Sequence, residues 1–308
     1  MPFLKLIRFP NLIIVVLTQY LLQYLILIPA FEKGGLSPLL NHFHFFLLVF
    51  STLIIAAGGY IINDLEDYEI DLLNKPEKVI INKFISAKNA RQLYWGISIF
   101  GFLISLYLAF YVDNIPLILI YPIAVFLLYL YSKSLKKSVL WGNLIVSIFC
   151  AFVAGLIIFA ERENVFQLNI KNPEYGSTVL EIFIFYLLFA FFATMFREIV
   201  KDIEDVDGDK KLGCSTMPIA WGIPAAKGVA LFFAMVFLGI LGDWIYSVEK
   251  LEVNAGVVYL VLGVIVPLLF AMLKLLKATT KKEFHFISQL AKYIMLSGIL
   301  YLLVWSFL

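Results

Sequence analysis

Charge is what this 308-residue chain has least of: Asp, Glu, Lys and Arg make up 15% of it, against about a quarter in soluble domains. With 62% of residues apolar and a mean hydropathy of +0.93, a soluble globular protein is excluded. The net charge of +2 gives no compositional basis for nucleic-acid binding. Two cysteines, Cys150 in an apolar run and Cys214 in a polar segment, lack metal-ligand spacing and read as unrelated thiols rather than a disulfide framework. The three histidines, His42, His44 and His285, are too scattered for a metal centre, and His42-x-His44 reads as an interfacial feature before an apolar run. The ten-residue alternation of a membrane β-barrel is absent too.

Long apolar runs take its place. A spanning helix needs about 20 mostly apolar residues, and windows at 11–30, 44–62, 93–112, 114–131, 139–160, 179–197, 219–242, 254–276 and 288–307 predict nine. The expectation is an all-α integral membrane protein with one polytopic domain over 1–308. Lys5 and Arg8 precede the first run as in a signal peptide, but the run is long and no small-x-small cleavage site follows it, so it reads as a permanent helix.

Cations mark one side. The N-terminus and the connections at about 63–92, 132–138, 197–213 and 274–287 hold 18 of the 24 lysines and arginines. Cationic connections are retained in the cytoplasm, which predicts a cytoplasmic N-terminus and a multi-pass protein of the cell membrane.

Acids are placed less evenly still: two of those same connections hold 12 of the 22 carboxylates. The first reads Asn63-Asp64-Leu65-Glu66-Asp67-Tyr68-Glu69-Ile70-Asp71, and the second runs from Arg197 to Asp209. Asp64, Asp67 and Asp71 are spaced by three and then four, and so are Asp202, Asp205 and Asp209. On a helix that spacing puts each trio on one face. Two like charges about 5 Å apart at an effective dielectric near 20 repel by roughly 3 kcal/mol. Divalent cations remove that penalty, and Mg2+ prefers carboxylate oxygens and is commonly shared with substrate phosphates. The pattern therefore predicts a Mg2+-diphosphate site. Both clusters follow even-numbered helices four apart, as a repeated four-helix unit would place them, facing each other over a central cavity.

Lys75, Lys78 and Lys83 follow the first cluster, and Lys133, Lys136 and Lys137 lie between the two. Arg197, Lys201 and Asp205 recur at four-residue intervals, so the two cations share a helix face and can contact the same phosphate oxygens. Among 29 Phe and 16 Tyr, most rings are packing or lipid-facing. Phe191, Phe192, Phe196, Tyr60 and Tyr68 lie nearest the clusters and are the candidates to stabilise a carbocation through their π faces.

The segment Gly59-Tyr60-Ile61-Ile62-Asn63-Asp64-x-x-Asp67-x-x-x-Asp71, with Asn74-Lys75-Pro76 after it, resembles the first signature of the UbiA-type intramembrane prenyltransferases. The second cluster is similar to that superfamily's other aspartate-rich motif. Arg8-x-x-Asn11, Tyr131-Ser132-x-x-Leu135-Lys136 and Gly142-Asn143 extend the resemblance over nearly the whole chain. It implies a nine-helix bundle around a cavity open to lipid, in which Mg2+ binds an isoprenyl diphosphate that ionises and prenylates an acceptor. It also implies metal and catalytic roles for Asp64, Asp67, Asp71, Asp202, Asp205 and Asp209, with Asn63 among the ligands. Substrate contacts would come from Asn11, Asn63, Lys78, Lys136, Asn143, Arg197 and Lys201. Within the superfamily the second motif is most similar to that of digeranylgeranylglyceryl phosphate synthases, which implies geranylgeranylglyceryl phosphate as acceptor. An aromatic acceptor of quinone synthesis (4-hydroxybenzoate or a dihydroxynaphthoate) stays open, and so does a cation-coupled transporter. One departure stands out: Lys78-Val79-Ile80-Ile81-Asn82-Lys83 stands where the family commonly shows Arg-Pro-Ile-Pro-Ser-Gly.

Overall fold

The computed structural model describes residues 2–74, 76, 79–211, 213–247 and 254–305. Its helices are α1 (Phe9–Lys33), α2 (His42–Glu66), α3 (Tyr68–Asn74), α4 (Ala87–Tyr111), α5 (Leu117–Lys133), α6 (Trp141–Ala160), α7 (Arg162–Lys171), α8 (Pro173–Lys211), α9 (Ile223–Ser247), α10 (Ala255–Lys277) and α11 (Lys281–Trp305). Every apolar window of the sequence falls on one of them. Among the described residues, eight are long and apolar enough to cross a membrane, and α5, also apolar, is shorter at 17 residues.

Local chemistry sets the ends. The Asn41 and Ser86 side chains accept from the His44 and Asn89 N–H groups, capping α2 and α4. Pro10 occupies the first turn of α1, where its missing N–H costs nothing. α1 contains a π turn at Gln23–Leu27, a local widening of the helix.

Helix α8 is the axis. It packs against α6, α9 and α11, while α2 packs against α4 and α5, and α1 closes the ring by touching α2, α6 and α11. The two motif-bearing helices differ in their neighbours: α8 contacts helices on both sides of it in the chain and the last one, while α2 leans chiefly on α4 and α5, both after it in the chain. Hydrocarbon tails are as apolar as leucine, so helices in a membrane associate chiefly by close packing of small residues. Ala226, Ala230 and Ala234, one turn apart on α9, are wholly buried. Gly298 of α11 leaves the space that the Phe189 ring occupies. Outward faces stay greasy, with Phe110 and Leu262 about two-thirds exposed.

Two expectations change. The second aspartate cluster is not in a connection, because α8 continues unbroken through Lys211. Its acidic turns carry no breaker before Gly208, and the helix simply outruns its apolar part. The first cluster is not one helix: α2 ends at Glu66, Asp67 takes a turn conformation (φ −92°, ψ 0°), and α3 begins at Tyr68. Backbone bonds from Asp67 N–H to the Asn63 carbonyl and from Asp71 N–H to the Asp67 carbonyl nevertheless keep the helical phase.

The connection after α3 departs from the family pattern for a visible reason. Ile80 and Ile81 are buried in a small core with Leu6, Ile61, Ile62, Ala90 and Tyr94, and Val79 beside them is buried too. Asn82 adopts a left-handed conformation (φ 59°), and its side chain accepts from the Ala87 N–H. Apolar anchoring and one asparagine turn shape this connection in place of prolines. Lys78 lies outside the described residues.

Candidate functional site

Both aspartate clusters line one cavity of about 1290 Å³. Asp64, Asp67 and Asp71 face it from the end of α2 and from α3, and Asp202, Asp205 and Asp209 face it from α8. On α8 the lining positions run from Tyr186 through Phe189, Ala190, Thr194, Arg197, Glu198, Lys201 and Asp202 to Asp209. At 1.5 Å per residue they extend about 35 Å. The order is apolar, then cationic, then acidic.

On the first side Lys136 holds the centre. Its ammonium donates to Asp67 Oδ1 at 2.5 Å and to Asn63 Oδ1 at 3.2 Å, while Asn63 Nδ2 donates to Asp67 Oδ2 at 2.9 Å. Burial pulls the Lys136 ammonium below its ordinary value, and the Asp67 carboxylate works against that pull. Lys136 stands on the 3-10 turn Leu135–Lys137, beneath which Gly142 passes so closely that a Cβ there would lie 2.8 Å from Lys136 Cα. The Ser215 N–H donates to the Lys137 carbonyl at 2.7 Å, joining this turn to the segment after α8.

On the second side Asn143 Nδ2 donates to Asp202 Oδ2 at 2.8 Å, and Lys281 pairs with Asp205 at 3.7 Å. Glu198 receives both Arg197 and Lys201, the latter at 2.9 Å. The shared helix face therefore does bring the two cations to a single anion, here a carboxylate of the chain itself. Glu204 points away, towards His285 and Ser288.

Arg8, Asn11 and Tyr60, all named from the sequence, meet in the lining with Lys292, which sequence reasoning missed. Arg8 pairs with Asp64 at 3.4 Å and lies 4.7 Å above the Tyr60 ring. Tyr60 OH accepts from Asn11 Nδ2 at 3.2 Å, and Asn11 Oδ1 accepts from Lys292 at 3.0 Å. Lys292 had a readable signal: a lysine eleven residues into α11 is expensive in an apolar helix and marks a site by default. The ring candidates are mostly displaced. Tyr60 lines the cavity, but Phe191, Phe192, Phe196 and Tyr68 do not; Tyr131, Phe149, Tyr186 and Phe189 do. Helical phase explains this on α8, because positions three, four, seven and eight before Arg197 share its face and Phe191, Phe192 and Phe196 do not. The histidines of α2 are structural: His42 bonds Tyr24, and His44 bonds Asn41 and Tyr107.

Such a cavity can hold a polyanion at its acidic and cationic mouth and an apolar chain in its depth. Comparison with known proteins agrees. The model of the UbiA prenyltransferase family matches residues 23–297. The digeranylgeranylglyceryl phosphate synthase of Saccharolobus solfataricus is 34% identical over 230 residues, which is 74% of this chain and 72% of that protein. A solved structure of digeranylgeranylglyceryl phosphate synthase superposes with a TM-score of 0.69 and 25% identity, covering 99% of this chain and 97% of that one. A UbiA homologue from Archaeoglobus fulgidus, solved with DMAPP and Mg2+, superposes with a TM-score of 0.54 and 17% identity over 96% of this chain and 99% of its own. The chain is a multi-pass membrane prenyltransferase and belongs to the UbiA prenyltransferase family.

Proposed function

We propose that the chain transfers a geranylgeranyl group from its diphosphate to the hydroxyl of geranylgeranylglyceryl phosphate, in a Mg2+-dependent reaction at the cytoplasmic end of a cell-membrane protein. The observation that carries this reading is the meeting of two carboxylate rows over one cavity whose depth is apolar. The resemblance to a digeranylgeranylglyceryl phosphate synthase supports the acceptor, and the cation-rich connections at the motif end support the orientation.

The donor set fits the ion. Among the described residues no three His, Cys, Asp or Glu side chains converge to cage a bare metal. Asn63 and the six aspartates are all-oxygen donors on two separated walls, and Mg2+ keeps several waters and shares phosphate oxygens. Asn63, Asp64, Asp67 and Asp71 on one wall and Asp202, Asp205 and Asp209 on the other would hold such an ion. When bound, Mg2+ would neutralise the diphosphate and make it a better leaving group.

The chain's own residues do the rest. Lys136 holds Asp67 and Asn63 in place, Asn143 orients Asp202, and Arg8 fixes Asp64. As the donor's C1–O bond breaks, the electron pair leaves with the diphosphate. The acceptor hydroxyl attacks C1, and its proton passes to a carboxylate or to the departing diphosphate. Tyr60, Tyr131, Phe149 and Phe189 give the allylic cation an apolar, π-rich wall. Burial in the bundle excludes the water that would otherwise capture it.

The test supplies labelled geranylgeranyl diphosphate and a panel of acceptors to purified protein and reads product mass. The expected result is the diether phosphate with wild type, and transfer reduced at least 100-fold in Asp67→Ala and Asp205→Ala. Near-normal Mg2+-dependent transfer in either variant overturns the site, and prenylation of an aromatic acceptor in place of the glyceryl phosphate overturns the substrate.

A further inference from the structure

The cavity contains a second concentration of charge, opposite in sign to the aspartate rows. Arg197 and Lys201 on α8 and Lys292 on α11 all line it. Glu198 answers the first two. Among the described residues Lys292 has a single polar partner, the amide oxygen of Asn11, and the cations whose charges bear on it are Arg197 and Lys201. The Nε of Arg197 is buried with no hydrogen-bond partner. Counted against Glu198 alone, the three cations leave +2, with Asp202 beyond Lys201 the next acid along the lining, in a place where like charges repel and a donor stands unused. Buried donors of this kind are rare and call for an explanation.

An anion supplies one. The donor's diphosphate is already provided for by the aspartate rows and Lys136, so the cluster is available to the other substrate. A phosphate monoester carries about −1.5 to −2 near neutral pH, which matches the cluster's charge, whereas an aromatic carboxylate carries −1. Arginine presents its donors as a planar fork suited to phosphate oxygens. The Asn11 amide, held by Tyr60, keeps the Lys292 ammonium directed into the cavity.

We propose that Lys292 and Arg197 bind the phosphate of a lipid phosphomonoester acceptor and so select it over uncharged and carboxylate acceptors. This assignment rests on the prenyl-transfer reading above and moves Arg197 from the donor to the acceptor. Lys201 remains with Glu198, holding the carboxylate that orients Arg197.

The test compares Lys292→Met and Lys292→Arg with wild type in steady-state transfer from geranylgeranyl diphosphate. The acceptors are geranylgeranylglyceryl phosphate and the corresponding alcohol without phosphate. Losing one charge-assisted hydrogen bond to phosphate is expected to raise the KM for the phosphorylated acceptor about 10- to 100-fold. The preference for it over the alcohol should fall by the same factor, with the donor's KM moving less than about twofold. Lys292→Arg should restore most of the preference. Glycerol 1-phosphate should inhibit wild type competitively against the acceptor and lose at least tenfold in potency against Lys292→Met. The inference is overturned if Lys292→Met keeps the wild-type preference, or if its main effect falls on the donor's KM. It is overturned equally if glycerol phosphate competes with the donor. Failure of the wild-type protein to transfer a prenyl group to any acceptor would instead sink the underlying reading. Should Lys292→Met not fold, Lys292→Gln and the glycerol phosphate competition decide the matter.

Discussion

Gly142 tests whether the position of Lys136 matters. An added methyl group at Gly142 would lie 2.8 Å from Lys136 Cα and 3.2 Å from the Leu135 carbonyl oxygen. Both are backbone atoms, so no side chain can turn aside. Carbon atoms rest at about 3.5 to 4.0 Å, so the 3-10 turn must move by about 0.7 Å or more. If that movement passes to the ammonium, its 2.5 Å contact with Asp67 lengthens towards about 3.2 Å. At an effective dielectric of 20 the attraction then weakens by roughly 1.5 kcal/mol, about a factor of ten in an equilibrium. Misplacement of a reacting geometry by about 1 Å can cost 100-fold in rate. Gly142→Ala should therefore lower kcat/KM for the isoprenyl diphosphate about 10- to 100-fold. Overpacking should also destabilise the fold by about 1–3 kcal/mol, visible in a detergent melting curve. The assay is steady-state transfer from labelled donor below the variant's melting range, repeated in Lys136→Met and in the double variant. If displacement of Lys136 is the cause, the two losses do not add, because the second change removes what the first displaced. Additive losses, or wild-type kcat/KM in Gly142→Ala, would refute the reasoning.

Three other outcomes follow from single contacts. Asn143→Asp sets a carboxylate against Asp202, where the amide now donates at 2.8 Å; repulsion of roughly 4 kcal/mol at 4 Å and dielectric 20 should make kcat/KM at least tenfold lower than in Asn143→Ala, and equal losses would dismiss the charge argument. Glu161, wholly buried beyond the end of α6, accepts from the Leu39 N–H with one oxygen and the Leu40 N–H with the other. In Glu161→Gln one of those donors must face an NH2 group, so stability should fall by about 1–3 kcal/mol; an unchanged melting temperature would contradict this. In Gly298→Ala the new methyl would sit 1.9 Å from the Phe189 ring, a ring that lines the deep part of the cavity. Product analysis over a series of donors should show a shorter longest prenyl chain than wild type accepts, and an unaltered chain-length profile would show that the ring yields elsewhere.

Much of this arrangement is legible in the residue order because it is set by short-range periodicity. The apolar windows mark every long helix, and the three-then-four spacing singles out Asp64, Asp67, Asp71, Asp202, Asp205 and Asp209, which line a common cavity. The losses occur where phase or distant contact decides. Sequence proximity to Arg197 singles out Phe191, Phe192 and Phe196, yet a helix turns them off the face that Phe189 and Thr194 share with Arg197. Lys292 and Asn11 meet across 281 residues, a pairing that no local pattern contains. Glu198, one acid among many in its segment, becomes distinct only when both neighbouring cations are seen to close on it.

The order of charge along α8 also constrains how two substrates share the cavity. In the proposed reaction both carry anionic heads and apolar tails, so both would enter with their heads towards the acidic mouth. Transfer then requires two anions to lie within a few ångströms while C1 of one meets a hydroxyl of the other. Placing both on cations would crowd them, and placing both on Mg2+ and aspartates would make them compete for the same oxygens. On the proposed assignment the tasks are separated by helical turns: Arg197 is five residues, or about 7.5 Å of rise, before Asp202. With the diphosphate at the aspartates and a phosphate at Arg197 and Lys292, that offset keeps the heads apart by more than an ion-pair contact and still within one substrate's reach of each other. Each head then meets charge of the opposite sign, and neither has to be stripped of its partner for the reacting atoms to approach.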